Sequence, residues 1–174
     1  MKSHSFAACA AGLLVLACAA VPAQERVVGA ADSDALFHSS DPLLDANKQV
    51  AYHIVKDILE AGNAAAVDKY LTERYLQHNP NIPSGRDELR KSLAMRPPRP
   101  IAPKLAAHVV AVLAEGDYVV VSTVHQLPDP KHPGKTYTTT HFDMWRIQDG
   151  RADEHWDEAP LGPPIGPPPS AASN

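Results

Sequence analysis

The feature that most constrains what this chain can fold into is one hairpin at residues 139–158. Two runs rich in β-branched and aromatic residues flank an Asp-Gly pair at positions 149–150, which is a strong signal for a tight turn between antiparallel strands. Each side of the turn carries a His and an Asp two positions apart: His141 and Asp143 before it, His155 and Asp157 after it. Residues two positions apart lie on the same face of a strand. We call these four residues the hairpin tetrad, and they place ionisable groups on a predicted sheet.

The length of the turn decides how the tetrad pairs. A two-residue turn at positions 149–150 would split the tetrad between the two faces of the sheet. A three-residue turn that begins at Gln148 would instead pair Asp143 with His155, and His141 with Asp157. All four residues would then share one face with Trp145. We prefer the three-residue turn because it separates a polar face from an apolar face.

The tetrad is a candidate site for proton transfer. A histidine beside a carboxylate is held in one tautomer and becomes more basic, and a carboxylate in a partly apolar pocket binds protons more tightly. Either group can then act as a general base near neutral pH, which typically contributes about 10²–10⁴ in rate. The alternative is a plain solvated sheet, where cross-strand pairs contribute only about 0.2–1 kcal/mol each. Both interpretations stay open at this point.

Other kinds of site lack a sequence signal. No glycine-rich phosphate loop and no nucleophile elbow are visible. The tetrad could ligate Zn²⁺, but HxH and HExxH spacings are missing, so we predict no metal and no cofactor. The formal net charge is −4 and the basic residues are scattered, which disfavours nucleic-acid binding.

The first 23 residues predict an export signal. Lys2 provides a positive charge, residues 6–20 form an apolar run, and Ala23 ends a small-residue cleavage site. The run is too short for a comfortable membrane span, and no later segment is long enough for one. We therefore expect an exported protein, periplasmic or secreted, with a lipid anchor at Cys18 as the alternative. The two cysteines both lie in this segment, so we expect no disulfide in the mature chain.

The rest of the sequence predicts one α+β domain at residues 43–159. An unpatterned, flexible lead-in at residues 24–42 precedes it, and a proline-rich, disordered tail at residues 160–174 follows it. Apolar periodicity and capping residues predict helices at residues 43–61, 64–71 and 87–95. Residues 75–80 are a short extended piece, and strands are predicted at residues 105–113, 118–127, 136–147 and 151–158. A curved sheet with helices on its concave side would enclose one pocket.

Two motifs resemble the SnoaL-like polyketide cyclase family of the nuclear transport factor 2-like superfamily. The first is YLQHNP at residues 75–80, and the second is FDMWRIQDGRADEHWD at residues 142–157. The resemblance spans roughly residues 43–158. It implies a cone in which three helices pack on a strongly curved, mainly antiparallel sheet around a deep pocket. It also implies a homodimer that forms through the sheet.

Cyclases of this family catalyse an intramolecular aldol condensation without cofactor or metal, and an Asp takes a proton next to a carbonyl. The resemblance therefore implies a lyase or isomerase acting on a small hydrophobic carbonyl compound, with Asp157 as the acid–base group and Asp143 as the competing choice. His141 and His155 would orient the carboxylate or stabilise the enolate. The residues expected to contact the substrate are Tyr75, His78, Asn79, His125 and Trp145. The alternative is a ligand-binding or dimeric interaction module without catalysis.

Overall fold

Helices precede most of the strands in the computed structural model, which describes residues 25–161 of the chain. The predicted export signal lies outside the described residues, as does nearly all of the predicted proline-rich tail. The α-helices of the described part are α1 (Pro42–His53), α2 (Val67–Tyr70) and α3 (Arg86–Ala94). Its strands are β1 (Leu71–Gln77), β2 (Val109–Glu115), β3 (Tyr118–Pro128), β4 (Thr136–Gln148) and β5 (Arg151–Asp157). None of the helices in this part is long and apolar enough to cross a membrane.

The five strands form one curved, mixed sheet in the order β1-β5-β4-β3-β2. Strand β1 pairs with β5 in parallel, and the other neighbours are antiparallel. The predicted α+β class, with three helices packed on a mainly antiparallel sheet, is confirmed. The main boundary differences from the prediction are in two strands: residues 71–77 form one continuous strand, and the strand predicted at residues 105–113 begins only at Val109.

The first helix changes its geometry half way along. The side chain of Asp41 caps α1 by accepting hydrogen bonds from the first-turn backbone amides, and Pro42 occupies the first turn. After His53 the chain continues as a π-helix, Ile54–Glu60, whose end has the backbone N–H of Ala61 donating to Lys56 O at 3.2 Å. Such wider turns are common at functional sites. Here the π-helical segment carries the apolar side chains that face the sheet.

The core lies between these helices and the inner face of the sheet. Val119, Val121 and Trp145 alternate with outward-facing residues on β3 and β4 and are almost completely buried. The segment before α1, for which the sequence predicts a mobile lead-in, packs against this core in the structure. Phe37 is fully buried there, with its ring 5.3 Å from that of Tyr52. A single aromatic residue in a polar segment creates no periodic pattern, which is why the sequence did not reveal this contact.

The hairpin turn differs from the predicted one. Gln148 pairs with Arg151 around a two-residue turn, and the prediction of a three-residue turn is wrong. Both turn residues have positive φ, 50° at Asp149 and 71° at Gly150, as a type I′ turn requires. One extra residue then enters β5, because Ile147 pairs with Ala152 while the preceding residue of β4 pairs with Glu154. This β-bulge reverses the alternation of β5 and brings the tetrad back to one face.

The bulged residue, Asp153, is anchored by hydrogen bonds. Its carboxylate accepts from Thr72 Oγ1 at 2.8 Å, from Arg74 Nε at 2.9 Å and from Arg146 at 2.5 Å. Only 1% of its side chain is exposed. The hydrogen bond from Arg74 is the main reason why the pKa of Asp153 is lowered to about 2. Strands β1, β4 and β5 are therefore tied together at the bulge.

Candidate active site

A cavity of about 290 Å³ lies between the π-helical segment and the inner face of the sheet. Its apolar walls are formed by Ile54, Ile58, Leu59, Tyr75, Ile82, Leu89 and Trp145. The polar part of the lining consists of Gln77 and the whole hairpin tetrad. A wider groove of about 570 Å³ beside Asp129 and Lys131 lies at the surface and includes no tetrad residue. The face of the hairpin that carries the tetrad therefore lines a largely apolar cavity.

The strand pairing within the cavity is not the predicted one. Asp143 lies opposite Asp157, and Trp145 lies opposite His155. The predicted cross-strand partners, Asp143 with His155 and His141 with Asp157, are wrong because the bulge shifts the register. Asp143 and His155 nevertheless meet diagonally, with 3.0 Å between Oδ1 and Nε2.

Asp143 is the centre of the polar cluster. Besides the contact with His155, its Oδ2 lies 3.6 Å from His141 Nε2. Burial alone would raise the pKa of Asp143, but the two imidazoles outweigh burial and hold the pKa below its usual value. The expectation that the pocket raises the pKa of this carboxyl is therefore wrong. Contact with Asp143 in turn raises the pKa of His141 to about 9, so the two form an ion pair at neutral pH.

His155 is buried and held on both sides of its ring. Nδ1 lies 2.8 Å from Gln77 Oε1, and the ring stacks on Trp145 with 5.1 Å between the centroids. The indole N–H of Trp145 donates to the hydroxyl of Tyr75 at 3.3 Å. Burial raises the pKa of Tyr75, so its hydroxyl stays protonated. Sequence reasoning missed Gln77; its position in the YLQHNP motif is the signal that could have indicated it.

Asp157 has different partners from Asp143. Its Oδ2 accepts a hydrogen bond from Asn79 Nδ2 at 2.8 Å, and its Oδ1 accepts one from the backbone N–H of Ala159 at 3.2 Å. The side chain is half-buried and lines the cavity. Asn79 thus orients the carboxylate without lining the cavity itself.

Two histidines expected to contact the substrate lie elsewhere. His78 stacks on Trp156 at 4.6 Å, and its Nε2 lies 3.1 Å from Glu154 Oε2 on the outer side of the sheet. It follows Gln77 in an extended segment, so the two side chains point to opposite sides. His125 is exposed, and its ring lies 5.7 Å from that of His141. Neither His78 nor His125 lines the cavity, so contact of these two residues with a substrate stays a prediction.

A family model described as a SnoaL-like domain matches residues 53–155, more than half of the 174 residues. The search of curated proteins gave no match.

Solved structures with a similar fold include TsrD from Streptomyces laurentii, at 20% identity over 69% of this chain and 90% of that chain, with a TM-score of 0.43. A candidate polyketide cyclase from Bacillus cereus is 18% identical over 66% of this chain and 76% of its own, with a TM-score of 0.47. A nuclear transport factor 2-like protein of unknown function from Burkholderia pseudomallei is 16% identical over 66% and 91%, with a TM-score of 0.46.

The family model spans the YLQHNP motif and all but the last two residues of the second motif. It therefore includes three of the four tetrad residues, and Asp157 lies two residues beyond its end. The sheet and helices described above have the architecture that the resemblance implied. The protein belongs to the SnoaL-like domain family.

Proposed function

We propose that this protein is an acid–base enzyme that removes a proton next to the carbonyl group of a small hydrophobic compound, in a reaction of the aldol-cyclase or isomerase type. The observation that carries the proposal is the division of the cavity into an apolar side, formed mainly by residues on and near the helices, and a polar side formed by strand residues. The hydrocarbon part of a substrate would pack against the apolar side, while its carbonyl group would meet the tetrad. Membership of the SnoaL-like family supports the same class of reaction.

Asp157 is the proposed base. Asp143 is already engaged by two imidazoles, whereas the carboxylate of Asp157 is held by neutral donors at the cavity wall. In the proposed step a C–H bond of the substrate breaks, its proton passes to Asp157, and the electron pair moves onto the carbonyl oxygen. The positive charge of His141 would stabilise the resulting enolate.

The enolate then has two possible fates. In an isomerase, Asp157 returns the proton to a different carbon atom of the same molecule. In an aldol reaction, the enolate carbon attacks a second carbonyl carbon of the substrate, and the new alkoxide takes the proton. The atoms balance in both cases without a cofactor.

Deuterium exchange tests the proposal without knowledge of the natural substrate. A cyclic ketone such as 2-tetralone, incubated with the protein in D₂O, should exchange its α-hydrogens faster than in buffer, as followed by proton NMR. Asp157→Asn should lose about 10²–10⁴ of this acceleration. His132→Ala, which alters an exposed His–Asp pair far from the cavity, is the matched control. Exchange no faster than in buffer, or equally fast in Asp157→Asn, would count against the proposal.

We also propose that the chain functions after export, because residues 1–23 have the composition of a cleaved signal. Mass spectrometry of protein recovered from the periplasm or medium should give a chain that begins at Gln24. A lipid-modified Cys18 would indicate the lipoprotein alternative, and an uncleaved cytoplasmic chain would contradict export.

We further propose a homodimer that forms through the outer face of the sheet. Leu113, Tyr118 and Phe142 lie on three adjacent strands with exposed fractions of 67%, 44% and 50%. They alternate with buried core residues and so share the outer face. Exposed apolar side chains grouped in this way are typical of interfaces. Light scattering should give a dimer that Phe142→Asp dissociates, while Leu43→Asp on α1 does not; a monomeric parent protein would contradict the proposal.

A further inference from the structure

We propose that the polar end of the cavity binds one divalent transition-metal ion, with Zn²⁺ as the expected occupant, through His141, Asp143 and Asp157. Each of these residues offers one ligand atom, and the three atoms lie within 4.8 Å of one another. One imidazole and two carboxylates form a donor set that suits Zn²⁺, whose bonds to such atoms are about 2.0–2.2 Å long. Small side-chain rotations would bring the three atoms together. This site goes beyond the proposed proton transfer, which requires no metal.

Each of the three donors is held by a further side chain. The partners are Glu158 for His141 (3.0 Å), His155 for Asp143 (3.0 Å) and Asn79 for Asp157 (2.8 Å). In metal sites the ligating histidine gives its other ring N–H to a carboxylate, and ligating carboxylates accept outer hydrogen bonds. Here Nδ1 of His141 faces Glu158 while Nε2 faces the carboxylates, which is the orientation that a metal ligand needs.

The negative charge of two paired carboxylates also favours a cation, independently of those hydrogen bonds. Asp143 and Asp157 lie directly opposite each other on β4 and β5, where like charges destabilise a sheet. Among the described residues, the lining of this cavity includes no Lys and no Arg, and a metal ion would take the place of the proton on His141. A divalent cation would neutralise both carboxylates at once. The arrangement therefore offers negative charge at the point where the ligand atoms converge.

The three ligand residues lie at the wall of the cavity. Three protein ligands leave at least one position on Zn²⁺ for water or for a substrate oxygen. That position would face the apolar cavity rather than bulk water. A carboxylate that ligates a metal cannot also accept a proton, so Zn²⁺ is expected to inhibit the proposed proton transfer. Mg²⁺ and Ca²⁺ prefer sets of oxygen ligands and should bind more weakly.

Isothermal titration calorimetry tests the site directly. Full-length protein, freed of metal with a chelator and dialysed, is titrated with ZnCl₂ and separately with MgCl₂. The expected result is saturation at one Zn²⁺ per chain, with much weaker heat from Mg²⁺. His141→Ala and Asp157→Asn should abolish saturable binding. Glu158→Gln, which alters the outer partner of His141 but none of the three ligands, should weaken Zn²⁺ binding by about 10–100-fold.

The matched control is His132→Ala. His132 also pairs with a carboxylate, that of Asp129 at 2.7 Å, but it lies outside the cavity, so its loss should leave Zn²⁺ affinity unchanged. Circular dichroism melting verifies that each variant is folded. If Asp157→Asn does not fold, the result for His141→Ala decides whether the site exists, because the side chain of His141 is partly exposed. Absence of saturable Zn²⁺ binding, or binding that persists in folded His141→Ala, would overturn the inference. Neither readout depends on ketone exchange, so failure of this site and failure of the proposed enzyme are separate results.

Discussion

Asp143 and Asp157 are directly paired across β4 and β5, yet they are stabilised in different ways. Asp143 is buried between two imidazoles, whereas Asp157 accepts hydrogen bonds from an amide side chain and a backbone N–H. The repulsion between two paired carboxylates is thus relieved mainly on one side, by positive charge on His141. Because of this asymmetry, Asp143 is the carboxylate that forms an ion pair, and Asp157 is the carboxylate that can accept a proton.

The first prediction concerns the charge of His141. Because contact with Asp143 raises the pKa of His141 to about 9, its C–H resonances should titrate near pH 9 in an NMR experiment with a chelator present. The ion pair stabilises the folded state fully below the unfolded pKa of about 6.5, and this stabilisation is lost as the pH rises through about 9. In Asp143→Asn the titration should move toward the ordinary range. A midpoint that is the same in both proteins would contradict the ion pair.

The second prediction concerns the bulge. Asp153→Asn removes the charge that binds Arg74 and Arg146 and should lower the free energy of unfolding at pH 7 by about 2–3 kcal/mol, as for a buried pair with partly exposed partners. Because the pKa of Asp153 is lowered to about 2, the stabilisation is present above about pH 4 and is lost as the pH falls through 2. Urea unfolding at pH 7 and pH 2 measures both effects.

The control for the bulge is Asp129→Asn, which removes a partly buried carboxylate whose partner, His132, is exposed. It should change stability much less. Parent and Asp153→Asn proteins should become closer in stability at pH 2. An equal difference at both values of pH would mean that the charge of Asp153 is not what anchors the bulge.

Much of the fold and part of the site could be predicted from the sequence. Alternation at His141 and Asp143 indicated their common face, and the Asp-Gly pair indicated the turn. The bulge could not be predicted, because its cause is the contact of Asp153 with Arg74, which lies on β1 far away in the sequence. Local patterns describe neighbours along the chain, whereas register, Gln77 and the buried Phe37 depend on contacts between distant segments.

The third prediction tests the two-residue turn. Gly150 has a φ of 71°, and an added Cβ would meet nothing within 4 Å. Gly150→Ala should therefore cost about 1–2 kcal/mol from backbone strain alone, without steric clash. Asp149→Asn is the matched control, since Asn tolerates positive φ and should be nearly neutral. Thermal unfolding measures both, and an equal loss in the two variants would contradict a type I′ turn.

The last prediction concerns the role of Gln77 in fixing the ring of His155. The two ring nitrogens of this buried histidine face Gln77 Oε1 at 2.8 Å and Asp143 Oδ1 at 3.0 Å, so the neighbours determine which nitrogen carries a proton. Gln77→Leu removes the acceptor at Nδ1, so Nδ1 should carry no proton in this variant, whereas Nε2 keeps its proton because the ionised Asp143 can only accept. Nitrogen-15 NMR distinguishes protonated from unprotonated ring nitrogens. Gln77→Glu keeps an oxygen acceptor at the same position, so a protonated Nδ1 is expected in that variant, and identical Nδ1 shifts in the Leu and Glu variants would show that Gln77 does not set the tautomer.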